Sequence, residues 1–259
     1  MSDVRNAAYA LSIAMVFSTL ILSFALVESS KNIGSVSGLV KPSGPVVQPT
    51  AVPTGAPTVA PTTAPTTRPP TQPPETLKPT VDLSKAPVQG SADAKVVLVE
   101  YTDLQCPFCS RHHEQSYAKI ITDYVDTGKI RYYFKQFPLS SIHPDAENAG
   151  VGTQCALSQD NDKAVAYIDK VFVNQDDLSV AALKQYAKDV GLDSTQFDSC
   201  LDTQATKAEV DAHFQEGVSN GVSGTPSFLV LKPNGDAERI VGAQPYTSFK
   251  AALDRALAG

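Results

Sequence analysis

The sequence predicts an α/β domain over residues 81–259 of the 259-residue chain. Two patterns predict this class. Strand, helix and strand patterns follow one another between residues 95 and 138, and two strand patterns and a helix occupy residues 226–259. Between them, at about residues 141–221, the apolar spacing is helical throughout. The predicted order is therefore βαβ, an inserted set of helices, and ββα.

The first half of the predicted core is a βαβ unit. "KVVLVEY" (Lys95–Tyr101) is an apolar, β-branched run of strand length. Apolar residues at 117, 120, 121, 124 and 125 predict a helix that begins near Pro107 and ends at Gly128. The aromatic run Lys129–Pro138 predicts a second strand. Because short loops join these elements, the two strands are predicted to be parallel.

The second half of the predicted core is antiparallel. "PSFLVLK" (Pro226–Lys232) predicts a strand, "PNGD" a hairpin turn, and "AERIV" the strand that pairs back. A last helix is predicted to begin near Tyr246. The insertion is predicted to hold five helices, one of which begins at Ser179, a residue type that caps helix N-termini.

The N-terminus has the composition of a membrane segment. Ala7–Val27 carries no charged residue, and its length as a helix, about 31 Å, is enough to span the hydrocarbon core of a bilayer. It is longer than the apolar region of a typical secretory signal, and no convincing small-residue cleavage site follows it. Residues 1–28 are therefore predicted to be a transmembrane signal anchor; a cleaved signal peptide is the alternative.

Residues 29–80 are predicted to be a disordered linker. Proline recurs every four residues from 45 to 73, and several prolines are followed by threonine. Proline removes backbone donors and fixes φ, so this stretch is predicted to be an extended spacer without a packed core. The domain that follows carries 16 Lys and Arg against 24 Asp and Glu. That acidity argues against a nucleic-acid partner.

A cysteine pair lies where the first strand pattern changes to the helical one. It belongs to "EYTDLQCPFCSRHH" (Glu100–His113). Such a C-x-x-C pair is found in both zinc and redox sites, but no second pair of cysteines or suitably spaced histidines completes a zinc site. Pro107 suits the first helical turn, which places Cys106 at the helix N-terminus. Exposed N–H groups and the helix dipole there favour the thiolate, and Cys109, one turn deeper, is predicted to be the resolving thiol.

Glu100 is the third candidate catalytic residue. It interrupts an apolar strand six positions before Cys106. Burial would raise its pKa and allow it to exchange a proton with the deeper thiol, directly or through water. The alternative is that Glu100 points to solvent at a strand end.

These motifs resemble those of the DsbA-like thiol–disulfide oxidoreductases of the thioredoxin superfamily. "VEYTDLQCPFC" and "VSGTPSFLV" carry the resemblance, which covers about Pro87–Leu257. It implies a thioredoxin-like fold with an inserted helical subdomain. It also implies a cis proline, Pro226, beside the cysteine pair, with the Thr225 backbone free to bind an extended substrate. Phe108 stands where strongly oxidising members have histidine, which leaves the direction of electron flow open.

The other two cysteines, Cys155 and Cys200, fall in the predicted insertion, 45 residues apart. They are predicted to form a structural disulfide; two buried free thiols are the alternative. Of the histidines, His112 and His113 are expected at the surface, and His143 is expected to cap a helix. His213 suggests no function.

The sequence as a whole predicts a membrane-tethered oxidoreductase on the extracytoplasmic side of the cell membrane, with no cofactor and no metal. Its expected partners are exported client proteins with cysteine thiols and a membrane redox partner, in this family usually a quinone-linked protein. Two alternatives stay open: a reductase or isomerase that uses the same site, and a non-catalytic protein-binding module.

Overall fold

The computed structural model of the protein describes residues 76–259. The predicted anchor, residues 1–28, and residues 29–75 of the predicted linker lie outside the described residues. Within residues 76–259, none of the helices combines the length and the apolar character that crossing a membrane requires.

One six-stranded sheet forms the centre of the domain. Its strands are β1 (Thr76–Leu77), β2 (Val88–Gln89), β3 (Val96–Thr102), β4 (Ile130–Gln136), β5 (Ser227–Leu231) and β6 (Ala237–Val241). They lie side by side in the order β1-β6-β5-β3-β4-β2. Strands β3 and β4 are parallel over their whole length, and β5 runs antiparallel to β3 and β6. The predicted βαβ and ββ pairings are therefore confirmed.

The helix after β3 is continuous but not uniform. It consists of α1 (Pro107–His112), a π-helical turn (His113–Tyr117), α2 (Ala118–Ile120) and a second π-helical turn (Ile121–Val125). Gly128, in the left-handed region with φ 72°, ends it as predicted. The wider turns were not predicted, because the sequence suggests a regular 3.6-residue repeat.

Six further helices complete the fold. They are α3 (Ala146–Leu157), α4 (Asn161–Val173), α5 (Val180–Asp189), α6 (Ser194–Asp202), α7 (Lys207–Ser219) and α8 (Tyr246–Ala258). The first five form the predicted insertion between β4 and β5. The Ser179 hydroxyl caps α5 by accepting a hydrogen bond from the N–H of Ala182. The predicted α/β class, with a helical insertion between the βαβ and ββα halves, is confirmed for this part of the chain.

The start of the folded domain differs from the predicted boundary at residue 81. Thr76 and Leu77 pair with Glu238 and Ala237 as the edge strand β1. Lys78 lies 3.1 Å from Asp236 in an ion pair. The last residues of the predicted linker therefore belong to the domain. A two-residue strand is too short to produce an alternating pattern in the sequence, so neither β1 nor β2 was predicted.

The alternation of side chains along β3 assigns residues to the two faces of the sheet. Leu98, Cys106 and Cys109 belong to the larger hydrophobic core, which α8 and the insertion helices help to build. Val99 and Tyr101 belong to the smaller core on the other face. Glu100, two residues after Leu98, therefore points toward the larger core and toward α1.

Candidate active site

Cys106, the first of the candidate site residues, occupies the N-cap position of α1. Its backbone is extended, with φ −73° and ψ 124°, and Pro107 begins the helix. The Cys106 N–H donates to the carbonyl of Asp103, 3.0 Å away. The Gln175 side-chain amide donates to the carbonyls of Leu104 and Cys106, at 2.8 and 3.0 Å. The insertion thus holds the turn that presents Cys106.

The side chain of Asp103 also holds the turn that precedes Cys106. One of its oxygens accepts a hydrogen bond from the N–H of Gln105, and the other accepts from the N–H of Leu139, both at 2.8 Å. The second oxygen also lies 2.8 Å from Nδ1 of His143. The expectation that His143 caps a helix was wrong: it pairs with a buried carboxylate instead. Asp103 was not singled out in the sequence, because an acid after a strand more often marks an ordinary turn.

Cys106 and Cys109 are both free thiols, and both are buried. A hydrogen bond from the Cys109 thiol, joined by the backbone N–H groups of Cys109 and Phe108, outweighs desolvation and lowers the pKa of Cys106 to about 5. Burial raises the pKa of Cys109 well above its ordinary value, and the hydrogen bond to Cys106 and the charge of Glu100 act in the same direction. The pair therefore consists of an acidic outer thiol and an inner thiol that keeps its proton.

Thr225 and Pro226 lie beside this pair. The bond between them is cis. The Cys106 sulfur is 3.5 Å from the carbonyl oxygen of Thr225. Strand β5 begins at the next residue, Ser227. The structure thus brings together the two motifs that are 119 residues apart in the chain.

Glu100 lies beneath the cysteine pair on β3 and is only 2% exposed. The alternative that it points to solvent was wrong. Desolvation raises the pKa of Glu100 to about 7, against a hydrogen bond from Tyr132 that lowers it. The hydroxyl of Tyr132 donates to Oε2 of Glu100 at 2.7 Å. A buried carboxyl group with a pKa near neutrality can both give and accept a proton at physiological pH.

Two residues of this site were not predicted. Tyr132 lies on β4, and its hydroxyl oxygen is 3.1 Å from Nε2 of His112 on α1. His112 is 1% exposed, so its expected surface position was wrong. Its neighbour His113 is also largely covered, stacked between the rings of Tyr117 and Phe172. The positions offered a weak signal: His112 follows Cys109 by three residues, which places both on one helical face.

Comparison with known proteins identifies the family. The sequence model of the thioredoxin family matches residues 83–255, about two thirds of the chain. The chain belongs to the thioredoxin family. The predicted resemblance to DsbA-like proteins is confirmed at the level of the fold, which this thioredoxin-family chain shares with solved structures.

Three such structures are BdbD from Bacillus subtilis in its oxidised form, alpha-DsbA1 from Wolbachia pipientis, and the thiol–disulfide exchange protein alpha-DsbA2 from the same organism. BdbD superposes with a TM-score of 0.64 at 20% identity, over 71% of this chain and 100% of BdbD. Alpha-DsbA1 superposes with a TM-score of 0.58 at 22% identity, over 69% of this chain and 94% of alpha-DsbA1. Alpha-DsbA2 superposes with a TM-score of 0.56 at 19% identity, over 66% of this chain and 86% of alpha-DsbA2. The fold agrees with the predicted enzyme class, a thiol–disulfide oxidoreductase.

Two curated relatives match about 60% of this thioredoxin-family chain. The Na(+)/H(+) antiporter NhaA 1 of Mycobacterium sp. (strain KMS) is 32% identical over 157 residues, 60% of this chain and 25% of the antiporter. NhaA 3 of Salinispora tropica is 30% identical over 150 residues, 58% of this chain and 22% of the antiporter. The chain thus spans about a quarter of the length of these relatives.

The second cysteine pair of this thioredoxin-family protein is a disulfide. Cys155 on α3 is bonded to Cys200 on α6, with 5.8 Å between their Cα atoms. The alternative of two free thiols was wrong. Both residues belong to the helical insertion, so the bond links two of its helices and leaves Cys106 and Cys109 as the free thiols of the described residues.

Proposed function

We propose that this protein is an extracytoplasmic, membrane-tethered thiol–disulfide oxidoreductase that introduces disulfides into exported proteins through Cys106 and Cys109. The observation that carries the proposal is the contrast between the two thiols. Cys106 has a pKa of about 5 at a helix N-terminus, while the pKa of Cys109 is raised. A thiolate stabilised in this way is a good leaving group and favours the reduced enzyme, which makes the disulfide form an oxidant.

The reaction begins with the Cys106–Cys109 disulfide. A client thiolate attacks the Cys106 sulfur, the bond to Cys109 breaks, and Cys109 takes up a proton. A second client thiolate then attacks the client sulfur of the mixed disulfide and releases Cys106 as a thiolate. Two electrons pass from the client thiols to the enzyme. One proton ends on Cys109, and the other goes to solvent.

Thr225 would bind the client during this reaction. Its carbonyl lies beside the Cys106 sulfur, and the start of β5 next to it could pair with an extended client chain. Phe108, 54% exposed, adds an apolar surface at the same place. The proposed substrate is therefore an extended, cysteine-containing segment of a protein that has not finished folding.

The proposed location rests on two features. Cys155–Cys200 is a disulfide of a kind that persists in oxidising compartments. Residues 7–27 form an uncharged segment long enough to span a bilayer, and the Pro-rich linker would let the domain reach both clients and a membrane redox partner. Reoxidation requires that partner, proposed to be quinone-linked. Labelling of the domain in intact cells by a membrane-impermeant reagent tests the location; a domain accessible only after lysis would refute it.

A second function, disulfide reduction or isomerisation, is favoured by one observation: the uncharged Phe108 occupies the position between the cysteines. Equilibration with glutathione buffers distinguishes the two directions. A reduction potential above about −200 mV supports the oxidase, because thioredoxin is near −270 mV and DsbA near −120 mV. A value close to that of thioredoxin would overturn the oxidising direction and leave the reductase.

Alkylation tests whether the site is catalytic at all. The rate at which iodoacetamide modifies the reduced, folded protein is expected to rise with pH around a midpoint of about 5, as the Cys106 thiolate forms. Mass spectrometry of peptides identifies the modified residue. A midpoint above about pH 8, near that of an ordinary thiol, would refute the activated nucleophile and favour a non-catalytic binding module on the same fold.

A further inference from the structure

We propose that Tyr132 and His112 are positioning residues for proton exchange between Glu100 and Cys109. Tyr132 holds one oxygen of Glu100 and leaves the other for the inner thiol, while neutral His112 fixes the direction in which the Tyr132 hydroxyl donates. The proposal rests on the proposed oxidoreductase reaction, to which it adds two residues and a chain of three hydrogen-bonding groups.

The series of hydrogen bonds runs from His112 on α1 through Tyr132 on β4 to Glu100 on β3. Nε2 of His112 lies 3.1 Å from the hydroxyl oxygen of Tyr132, which lies 2.7 Å from Oε2 of Glu100. A tyrosine has one hydroxyl proton, and Tyr132 donates it to Glu100. The hydrogen between His112 and Tyr132 must therefore belong to Nε2. This assignment gives every hydrogen bond in the chain one donor and one acceptor.

Each end of this series of hydrogen bonds has a polar atom without a partner. Among the described residues, neither Oε1 of Glu100 nor Nδ1 of His112 has a hydrogen-bonding partner, and both atoms are buried. A buried carboxylate oxygen without a partner is costly. Two donors act on Glu100 from nearby: the thiol of Cys109, whose pKa the charge of Glu100 raises, and the hydroxyl of Thr102, which lowers the pKa of Glu100. The proposal assigns Oε1 to the thiol of Cys109.

Packing holds His112 neutral and in place. Its ring lies 4.5 Å from the ring of Phe228 and 4.9 Å from that of Phe249, measured between centroids. Desolvation, together with the nearby His113, lowers the pKa of His112 to about 3. A neutral imidazole supplies one N–H without adding a positive charge that would hold Glu100 permanently ionised.

The groups that face Glu100 define its titration. Four of these groups are titratable: Cys106 at the N-cap of α1, Cys109 on α1, Tyr117 in the π-helical turn and Tyr132 on β4. The hydroxyl of Thr102 on β3 also acts on Glu100. The residue opposite Glu100 on β5 is the apolar Phe228. With the disulfide formed, neither cysteine titrates, and Tyr132 is the group whose removal affects Glu100 most directly.

The proton balance is simple. When the Cys106–Cys109 bond breaks, Cys109 leaves as a thiolate, accepts the proton of the Glu100 carboxyl group and becomes a thiol. Glu100 becomes a carboxylate, which the hydroxyl of Tyr132 stabilises. Reoxidation reverses each step: the carboxylate takes the proton back as Cys109 attacks.

The test follows the titration of Glu100 in the oxidised protein by NMR of a ¹³C-labelled carboxyl group, in wild type and in Tyr132→Phe. Tyr132 lowers the pKa of Glu100, so its loss is expected to raise the midpoint by about one pH unit. The rate at which dithiothreitol reduces the disulfide is measured in parallel. In wild type, the assistance that the protonated Glu100 gives to the leaving Cys109 is expected to decline as Glu100 ionises. In Tyr132→Phe this decline is expected at a correspondingly higher pH, and Glu100→Gln is expected to lack it.

The matched control is Tyr117→Phe. Tyr117 is also buried, its hydroxyl donates to Gln89 at 2.6 Å, and its ring packs against that of Tyr132. Its removal costs the same hydroxyl group in the same core but leaves the donor to Glu100 in place. An unchanged Glu100 midpoint in Tyr132→Phe, or an equal shift in Tyr117→Phe, would overturn the proposal.

His112→Leu covers the case in which Tyr132→Phe does not fold. Because leucine has no N–H to donate to Tyr132, a smaller upward shift of the Glu100 midpoint is expected, and a midpoint identical to wild type overturns the role of His112. The NMR titration does not require turnover. A protein that exchanged no thiols would refute the proposed function, while the titration would still decide whether Tyr132 and His112 act on Glu100.

Discussion

The two cysteine pairs of this domain have the same side chains and opposite properties. Cys155 and Cys200 are bonded across two helices and 45 residues of chain. Cys106 and Cys109 are free thiols separated by two residues at the start of one helix. The first pair has as its polar neighbour the hydroxyl of Thr206. The second has a helix N-terminus above it and a buried carboxyl group below.

The contrast distinguishes burial from the other features to which the proposed reactivity of Cys106 and Cys109 can be attributed. Burial alone does not, because Cys155 and Cys109 are both fully buried. What separates the pairs is an asymmetry within the active one: hydrogen bonds lower the pKa of Cys106, whereas burial and a neighbouring charge raise that of Cys109. Substitutions in and around each pair test whether that asymmetry is the cause.

Cys106→Ser is expected to have the strongest effect, the loss of thiol exchange. A serine hydroxyl is not a nucleophile at neutral pH without an adjacent base, so oxidation of a cysteine-containing peptide is expected to fall to the uncatalysed rate. The double variant Cys155→Ser/Cys200→Ser is the control and is expected to retain exchange. Equal loss in both variants would mean that the insertion pair takes part in the chemistry.

Removing the insertion disulfide is expected to affect stability instead. In the chain-entropy account, a loop of 45 residues contributes about 4 kcal/mol. Urea unfolding of Cys155→Ser/Cys200→Ser should show a loss of that order. The alkylation midpoint of Cys106 should not change, because the bond links α3 to α6. A shift of that midpoint would show that the two pairs are coupled.

Glu100→Gln is expected to stabilise the oxidised protein at high pH only. Burial raises the pKa of Glu100 from 4.5 to about 7. The folded protein therefore binds this proton more tightly than the unfolded chain, and stability falls as pH rises from 4.5 through 7. Above that range the loss is about 3 kcal/mol, and the amide avoids it.

Unfolding of the wild type and Glu100→Gln is to be compared at about pH 4 and about pH 8, on either side of that titration, with the disulfide intact so that neither Cys106 nor Cys109 titrates. The advantage of the variant should appear at the higher pH and be absent at the lower one. An advantage of equal size at both values would mean that the amide improves packing and that the charge of Glu100 has no part in it.

The sequence carried most of the information about the fold and the reactive pair. Cys106 and Cys109 were recognisable because their spacing, Pro107 and the change from strand to helical pattern are all local. The placement of Thr225 beside Cys106 could be inferred only through the family resemblance, since 119 residues separate them. The helical insertion was predicted from the apolar spacing of residues 141–221, and the resemblance implies it as well.

His112 and Tyr132 could not be predicted in the same way. A histidine on an active helix is usually at the surface, and a tyrosine in an aromatic strand usually serves as core. Their proposed roles depend on contacts among several elements: α8 and β5 cover His112, and β4 places the hydroxyl of Tyr132 next to β3. Such a chain depends on tertiary packing, which leaves no periodic signal in the sequence.

The weakest effect is expected at Phe108, which lies between Cys106 and Cys109 in the sequence. Phe108 is half-exposed, and its ring lies 4.9 Å from the guanidinium carbon of Arg111. Phe108→His adds a group that can carry positive charge near Cys106, which favours the thiolate and the reduced enzyme. The reduction potential is expected to rise by up to about 30 mV, a tenfold change in the equilibrium constant.

The pH dependence of that rise identifies its cause. An exposed histidine is protonated mainly below about pH 6.5, so the difference between Phe108→His and the wild type should be larger at about pH 6 than at about pH 8. Phe108→Leu removes the aromatic ring without adding charge and is expected to leave the potential near the wild-type value. A rise in Phe108→Leu equal to that in Phe108→His would show that the ring itself restrains Cys106, and that charge between the cysteines is not what sets the oxidising strength of this site.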